Sequence, residues 1–157
     1  MKKVTRKAEK VLIGSTDHVD IPQLHLQDIA CKIDTGAETS AIHCHKVKLI
    51  EREGQELICF ELLDPEHRQY NGKVFTTSNF KERKVKNTSG SAEYRYVITA
   101  EVVIFGKAYT TEFTLADRER MKFPILLGKR LLKKNFLVDV SKDNLSFKQK
   151  NNHDSEK

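Results

Sequence analysis

Ile29-Ala30-Cys31-Lys32-Ile33-Asp34-Thr35-Gly36-Ala37-Glu38-Thr39-Ser40-Ala41 is the stretch on which the reading of this chain turns. A short apolar run delivers an acid onto a Thr-Gly turn, and small polar residues follow. Gly36 lets the backbone turn tightly and approach a neighbour closely. The Thr35 hydroxyl can tie the loop to nearby backbone. Asp34 stands at a strand end with no basic residue immediately beside it. Taken alone, Asp-Thr-Gly also suits an ordinary Asx-type turn.

Working outward, the signals are mainly strand-like. Val11 to Ile13 predicts a first strand, and 29–33 a second that enters the Asp34 turn. Ala41 to Cys44 reads as a short return strand. Leu57 to Leu63 ends at the turn pair Asp64-Pro65. Tyr94 to Phe105 and Ala108 to Leu115 form the clearest hairpin, with Gly106-Lys107 as its turn. In the second arm, Tyr109, Thr111, Phe113 and Leu115 share one face. Pro124 to Gly128 is a buried strand ending in glycine. Lys129 to Asn135 is the one convincing helical turn, and Phe136 to Val140 a closing strand. Many short strands with one late helix predict an all-β, barrel-like domain. Asn87-Thr88-Ser89-Gly90 precedes the long hairpin and suits a loop that covers a cleft. Arg95, with Glu93, follows it closely enough to touch a substrate, or to form a solvent-facing pair.

A second segment sharpens the meaning of the first. Pro124-Ile125-Leu126-Leu127-Gly128-Lys129-Arg130-Leu131-Leu132 is an apolar strand, a glycine and a helix that opens on a basic residue. Retropepsins carry an apolar-Asp-Thr-Gly-Ala segment early and an apolar-Gly-Arg-x-Leu-Leu segment late, and this chain resembles them in both, with Lys129 where arginine is usual. Lys32 to His43, Val85 to Gly90, Phe113 to Arg118, Met121 to Arg130 and Phe136 to Asp139 resemble more specifically a bacterial retropepsin-like aspartic peptidase family. That family carries the label ATP-dependent zinc protease and is associated with RimK-type ATP-grasp ligases. The resemblance runs from about residue 11 to 146. It implies a pepsin-type closed barrel with one short C-terminal helix, Asp34 as the catalytic acid, and Thr35, Gly36, Ala37 and Gly128 as support for its loop. Asn87, Thr88, Ser89, Gly90 and Arg95 would be flap or substrate residues. Glu38 departs from relatives that have arginine there and adds a negative charge near Asp34.

Peptide hydrolysis by this route needs two carboxylates close together. Such a pair cannot easily ionise twice, so it shares a proton. One member activates water while the other donates to the scissile carbonyl. The chain has one Asp-Thr-Gly and no second copy in 157 residues. The second acid must then come from Asp34 of another chain across a two-fold axis. The expectation is a homodimeric endopeptidase. The alternative is a non-catalytic module for dimerisation or peptide binding.

Bulk properties narrow the partners. A length of 157 residues suits one domain, expected over residues 11–147 between a flexible start at 1–10 and a disordered tail at 148–157. The tail has no apolar residue to bury. No run approaches the roughly 18 apolar residues of a membrane span, and no secretion signal precedes Val11. The expectation is therefore a cytoplasmic protein with no membrane partner. The net charge of +6 could hold nucleic acid, yet the basic residues are scattered and no aromatic-basic motif accompanies them. The charge otherwise serves solubility, or suits an acidic substrate. Kinship with the ligase-associated family points the same way, toward acidic or glutamate-tailed peptides and an association with an ATP-grasp ligase. No Gly-x-x-x-x-Gly-Lys loop is present, so any ATP requirement would come from a partner.

Three cysteines, Cys31, Cys44 and Cys59, without a secretion signal read as buried free thiols. His43-Cys44-His45 puts two imidazoles on one strand face. A complete zinc site needs three or four ligands, and no Cys-x-x-Cys or His-Glu-x-x-His supplies them. The pair therefore reads as surface histidines at a strand end, with no metal and no cofactor expected.

Overall fold

Strands β1 (Val11–Ile13), β2 (Thr16–Ile21), β3 (Leu26–Ile33), β4 (Ser40–Arg52), β5 (Gln55–Leu62), β6 (Val74–Thr77), β7 (Lys81–Lys86), β8 (Ala92–Ile104), β9 (Lys107–Ala116), β10 (Ile125–Leu127) and β11 (Phe136–Val138) build the molecule. Among the described residues two helices accompany them, α1 (Lys129–Asn135) and α2 (Leu145–Ser155), with a 3-10 turn at Pro22–Leu24. The computed structural model describes residues 9–86, 89–116 and 122–155.

Closure depends on the shortest of the central strands. β10 pairs in parallel with β3 and antiparallel with β4. From β3 the ladder continues through β2, β8 and β9 back to β4. β10 therefore joins both ends of the ladder and leaves no free edge in that circuit. Ile125-Leu126-Leu127 can do this because a strand paired on both sides has no solvent face to satisfy; all three residues are buried. The fold is all-β, as the sequence predicts.

Two extensions leave the barrel. The second half of β4 pairs with β5, which pairs with β6. The first half of β8 pairs with β7, in register from Lys81↔Val97 to Lys86↔Ala92. A separate two-stranded parallel sheet pairs β1 with β11, with Leu12 opposite Leu137. The interior is filled from alternate positions of nearly every strand, including Ile21, Ile29, Ile42, Ile58, Phe113 and Leu127. Each such side chain, fully buried, contributes about 1.5–3 kcal/mol relative to exposure.

Three local expectations change. The hairpin turn is Phe105-Gly106, both with left-handed backbone (φ 52° and 73°), and Lys107 is already paired with Ile104. Two consecutive positive φ values give the type I′ geometry that matches strand twist. Residues 148–155 are helical rather than a disordered tail. Their own apolar content does not hold them; the first turn of α2 does. The buried Asp17 carboxylate accepts the Ser146 and Phe147 N–H groups at 3.0 and 3.1 Å, and Lys150 reaches Asp28 at 2.8 Å and Asp20 at 3.2 Å. Finally, His43 is buried rather than superficial.

Candidate active site

The Asp-Thr-Gly loop sits between the end of β3 and the start of β4, and the β10–α1 junction clasps it. Asp34 N–H donates to the Leu127 carbonyl at 2.9 Å. Lys129 and Arg130 N–H donate back to the Ala37 and Glu38 carbonyls at 2.8 and 3.1 Å. Gly128 N–H donates to the buried Ser40 hydroxyl at 3.1 Å. These bonds satisfy helix-start N–H groups that have no partner inside α1, and they fix the loop in the same stroke. The approach is too close for a side chain at 128. A Cβ there would lie 2.6 Å from the Thr39 carbonyl oxygen and 2.9 Å from that of Ala37.

Within the loop, the Asp34 carboxylate accepts the Gly36 N–H at 3.0 Å. This orients one oxygen and leaves the group half-buried. Thr35 and Gly36 are exposed, and the Thr35 hydroxyl is not tied to backbone among the described residues. Glu38 does not stand as a bare negative charge. Its carboxylate lies 3.6 Å from both Lys129 and Arg130, and Arg130 also approaches Glu112 at 3.8 Å.

A cavity of about 780 Å³ adjoins the loop, lined by Thr35, Glu38, Lys10, the α1 residues Lys129, Arg130, Lys133 and Lys134, and Phe136 and Val138 of β11. Five of these side chains are basic and one is acidic. The loop and the β1–β11 sheet thus share one face of the molecule.

Of the expected flap residues, Ser89 and Gly90 lie at the tip of the β7–β8 hairpin, where Gly90 takes a left-handed φ of 84°. Asn87 and Thr88 lie outside the described residues. Arg95 is on β8 and pairs with Glu93 at 3.7 Å, the solvent-side pairing that the sequence also allowed.

The thiols offer no rival nucleophile. Burial, and then the negative charge of Asp17, push the Cys31 thiol far above its ordinary value. Cys44 is also fully buried, and Cys59 is half-buried.

Asp64 was missed by sequence reasoning. Its Oδ1 lies 2.8 Å from His45 Nε2 and 3.1 Å from His43 Nε2. The three side chains form one cluster, with ligand-capable atoms within 4.8 Å of one another. Burial acts to raise the Asp64 carboxyl, but hydrogen bonds from His43 and His45 outweigh it and hold the group below the usual carboxylate range. The only available signal was the Asp-Pro turn closing the strand that pairs with β4.

Comparison with known proteins adds kinship. The chain is 33% identical over 135 residues to a "Probable alpha-L-glutamate ligase" of Shewanella pealeana, covering 84% of this chain and 29% of that protein. It is 30% identical over 130 residues to one of the same name from Desulfotalea psychrophila, covering 83% and 28%. The chain therefore spans less than a third of the length of these curated relatives. Among solved structures, Lpg0085 of Legionella pneumophila, a protein of unknown function, superposes with a TM-score of 0.69 at 22% identity over 88% of this chain and 99% of that one. That likeness extends to the fold. Residues 12–149 match the family described as RimB-like, retropepsin-like aspartic endopeptidase RimB, and the chain belongs to that family.

Proposed function

We propose that the protein is an aspartic endopeptidase whose working unit is a homodimer, with Asp34 of each copy flanking one water. The observation that carries this reading is the Asp34 loop itself. It is held from behind by Leu127, Gly128 and Lys129, while its Thr35-Gly36 tip is exposed. A second copy meeting that tip would bring the two carboxylates together. The pair would then hold one proton and titrate as a unit. The ionised member takes a proton from water, the water oxygen attacks the scissile carbonyl, and the protonated member donates to the carbonyl oxygen. No covalent acyl-enzyme forms. Thr35 is available to bond the partner's loop.

The substrate best suited to this face is an acidic peptide. Lys10, Lys129, Arg130, Lys133 and Lys134 line the adjoining cavity against the single acid Glu38, and such a field attracts negative charge. Glutamate-tailed proteins are acidic in that way. The ligase name of the longer relatives fits a chain that works beside an ATP-grasp ligase and removes what the ligase adds. Asp34→Asn should abolish cleavage of a glutamate-tailed peptide and leave the far-UV spectrum unchanged. Wild-type-rate cleavage by that variant would end the assignment, and equal rates on glutamate-tailed and neutral peptides would end the substrate preference.

One observation favours a second reading. The matching region is under a third of its curated relatives, so a related segment operates there within a larger protein. A non-catalytic dimerisation or peptide-binding module would suit that setting. An intact dimer that binds glutamate-tailed peptide and never cleaves it would decide for this reading.

A further inference from the structure

Outside the Asp34 loop, one cluster of side chains among the described residues has the composition and closeness of a metal site. His43 and His45 lie two residues apart on β4 and so project from the same face. Their rings stand edge to face with centroids 4.6 Å apart. Asp64 follows the end of β5, the strand paired with this part of β4. Leu63 N–H donates to the His43 carbonyl at 3.2 Å and draws the Asp64 turn onto the histidines. Both flanks are irregular. Lys46, just after His45, and Leu63, just before Asp64, are non-glycine residues with positive φ (54° and 69°). The β4–β5 register shifts between His45 and Lys48, and such bulges re-aim neighbouring side chains.

We infer that His43, His45 and Asp64 bind one divalent transition-metal ion of the zinc type, through the two imidazole Nε2 atoms and the Asp64 carboxylate. Two imidazoles and one carboxylate are a donor set that suits zinc and its neighbours rather than magnesium or calcium, which prefer all-oxygen shells. Tetrahedral bonds of about 2.0–2.1 Å separate ligand atoms by about 3.3 Å. The two Nε2–Oδ1 distances are 2.8 and 3.1 Å, so small rotations of the three side chains would open a central position. His43 is buried, while the His45 and Asp64 side chains are 21% and 33% exposed, which gives an ion a way in. Three protein ligands leave one position for water. The second carboxylate nearby, Glu61, is engaged by Tyr70 at 2.9 Å and Lys46 at 3.2 Å, so the site carries one formal negative charge. The ion would staple the middle of β4 to the turn after β5. This inference does not depend on Asp34 being catalytic.

The test uses the full chain, freed of metal by a chelator and titrated with zinc chloride against a chromophoric competitor, with cobalt chloride as a spectroscopic probe. One ion per chain and visible cobalt bands of low-coordinate geometry are expected. His45→Gln and Asp64→Asn should each weaken zinc by more than about 100-fold, beyond the 10–100-fold effect usual for outer-shell partners alone. Asp34→Asn should bind as the wild type does. Magnesium chloride should not compete. In wild-type protein, zinc should shift the Nε2 resonances of His43 and His45 in nitrogen-15 spectra, a readout that requires no substitution. Absence of stoichiometric zinc binding, unchanged affinity in both variants, or loss of binding in Asp34→Asn overturns the inference.

Discussion

Gly128 has no space for a side chain. Its Cα faces the carbonyls of Thr39 and Ala37, which belong to the loop that carries Asp34. Those carbonyls are backbone, so they cannot swing aside as a flexible side chain would. Gly128→Ala must therefore push the loop away from α1 or break the bonds from Lys129 and Arg130. Overpacking of this kind costs about 1–3 kcal/mol. We expect a destabilisation of about 2 kcal/mol in urea unfolding and a larger proportional loss of peptide hydrolysis, because the loop moves in the variant that does fold. A Gly128→Ala protein with wild-type stability would show that the clasp is not under steric control. This relation was half-legible in sequence. The strand-glycine-helix pattern of 124–132 marks Gly128, and resemblance links it to the Asp34 loop, but the carbonyls it meets are set by tertiary contact. Asp64 shows the opposite case. Nothing in Asp64-Pro65 beyond a turn signal points to His43 and His45, and only the β4–β5 register brings them together.

At the scale of elements, α2 shows why local composition misleads. Lys148 to Lys157 has no apolar residue, and composition predicts disorder. The helix nevertheless forms, because its anchoring lies earlier. Asp17, on β2, accepts the Ser146 and Phe147 N–H groups and so acts as a cap from a distant strand. The Phe105 N–H donates to the Ser146 hydroxyl at 2.8 Å. His18 packs on Phe147 with centroids 4.7 Å apart. Asp17→Ala would remove the acceptor of three N–H groups, those of His18, Ser146 and Phe147, at a site where Asp17 is 1% exposed. With about 1–3 kcal/mol for each buried unsatisfied group, we expect a loss of about 3 kcal/mol. Amide exchange at Ser146 and Phe147 should accelerate well before the β8–β9 amides respond. Uniform acceleration across the chain would mean that α2 and the barrel open together. β10 and α1 were easier to read, since an apolar run ending in glycine and a basic amphipathic turn are both local signals. β2, β6 and β7 are not legible locally: Thr16-Asp17-His18 and Lys81-Glu82-Arg83-Lys84 are too polar to declare themselves, and Val74-Phe75-Thr76-Thr77, though made of strand-favouring residues, is only four residues long; each becomes a strand by pairing with a longer neighbour.

At the scale of the whole molecule, the unfinished surface is the β1–β11 sheet. A two-stranded sheet is marginal by itself, and this one presents Leu12 and Leu137 in register at 46% and 57% exposure, with Val140 at 77% nearby. The same face holds the cavity bounded by Thr35, Phe136 and Val138. A two-fold contact here would extend the sheet, cover these apolar side chains and bring the two Asp34 loops toward each other, since an isologous interface repeats the same patch on both copies. Leu137→Lys tests the link between assembly and chemistry. As an exposed substitution it should change chain stability by no more than about 0.5 kcal/mol, while placing like charges against each other across the axis. We expect sedimentation equilibrium to show dimerisation weakened at least tenfold, about 1.4 kcal/mol. Hydrolysis of a glutamate-tailed peptide should fall by the same factor at low protein concentration and recover as concentration rises, because the active species is then second order in chain. A wild-type monomer that hydrolyses peptide, or a Leu137→Lys monomer with full activity at every concentration, would leave Asp34 acting without a second carboxylate and would remove the dyad from the mechanism.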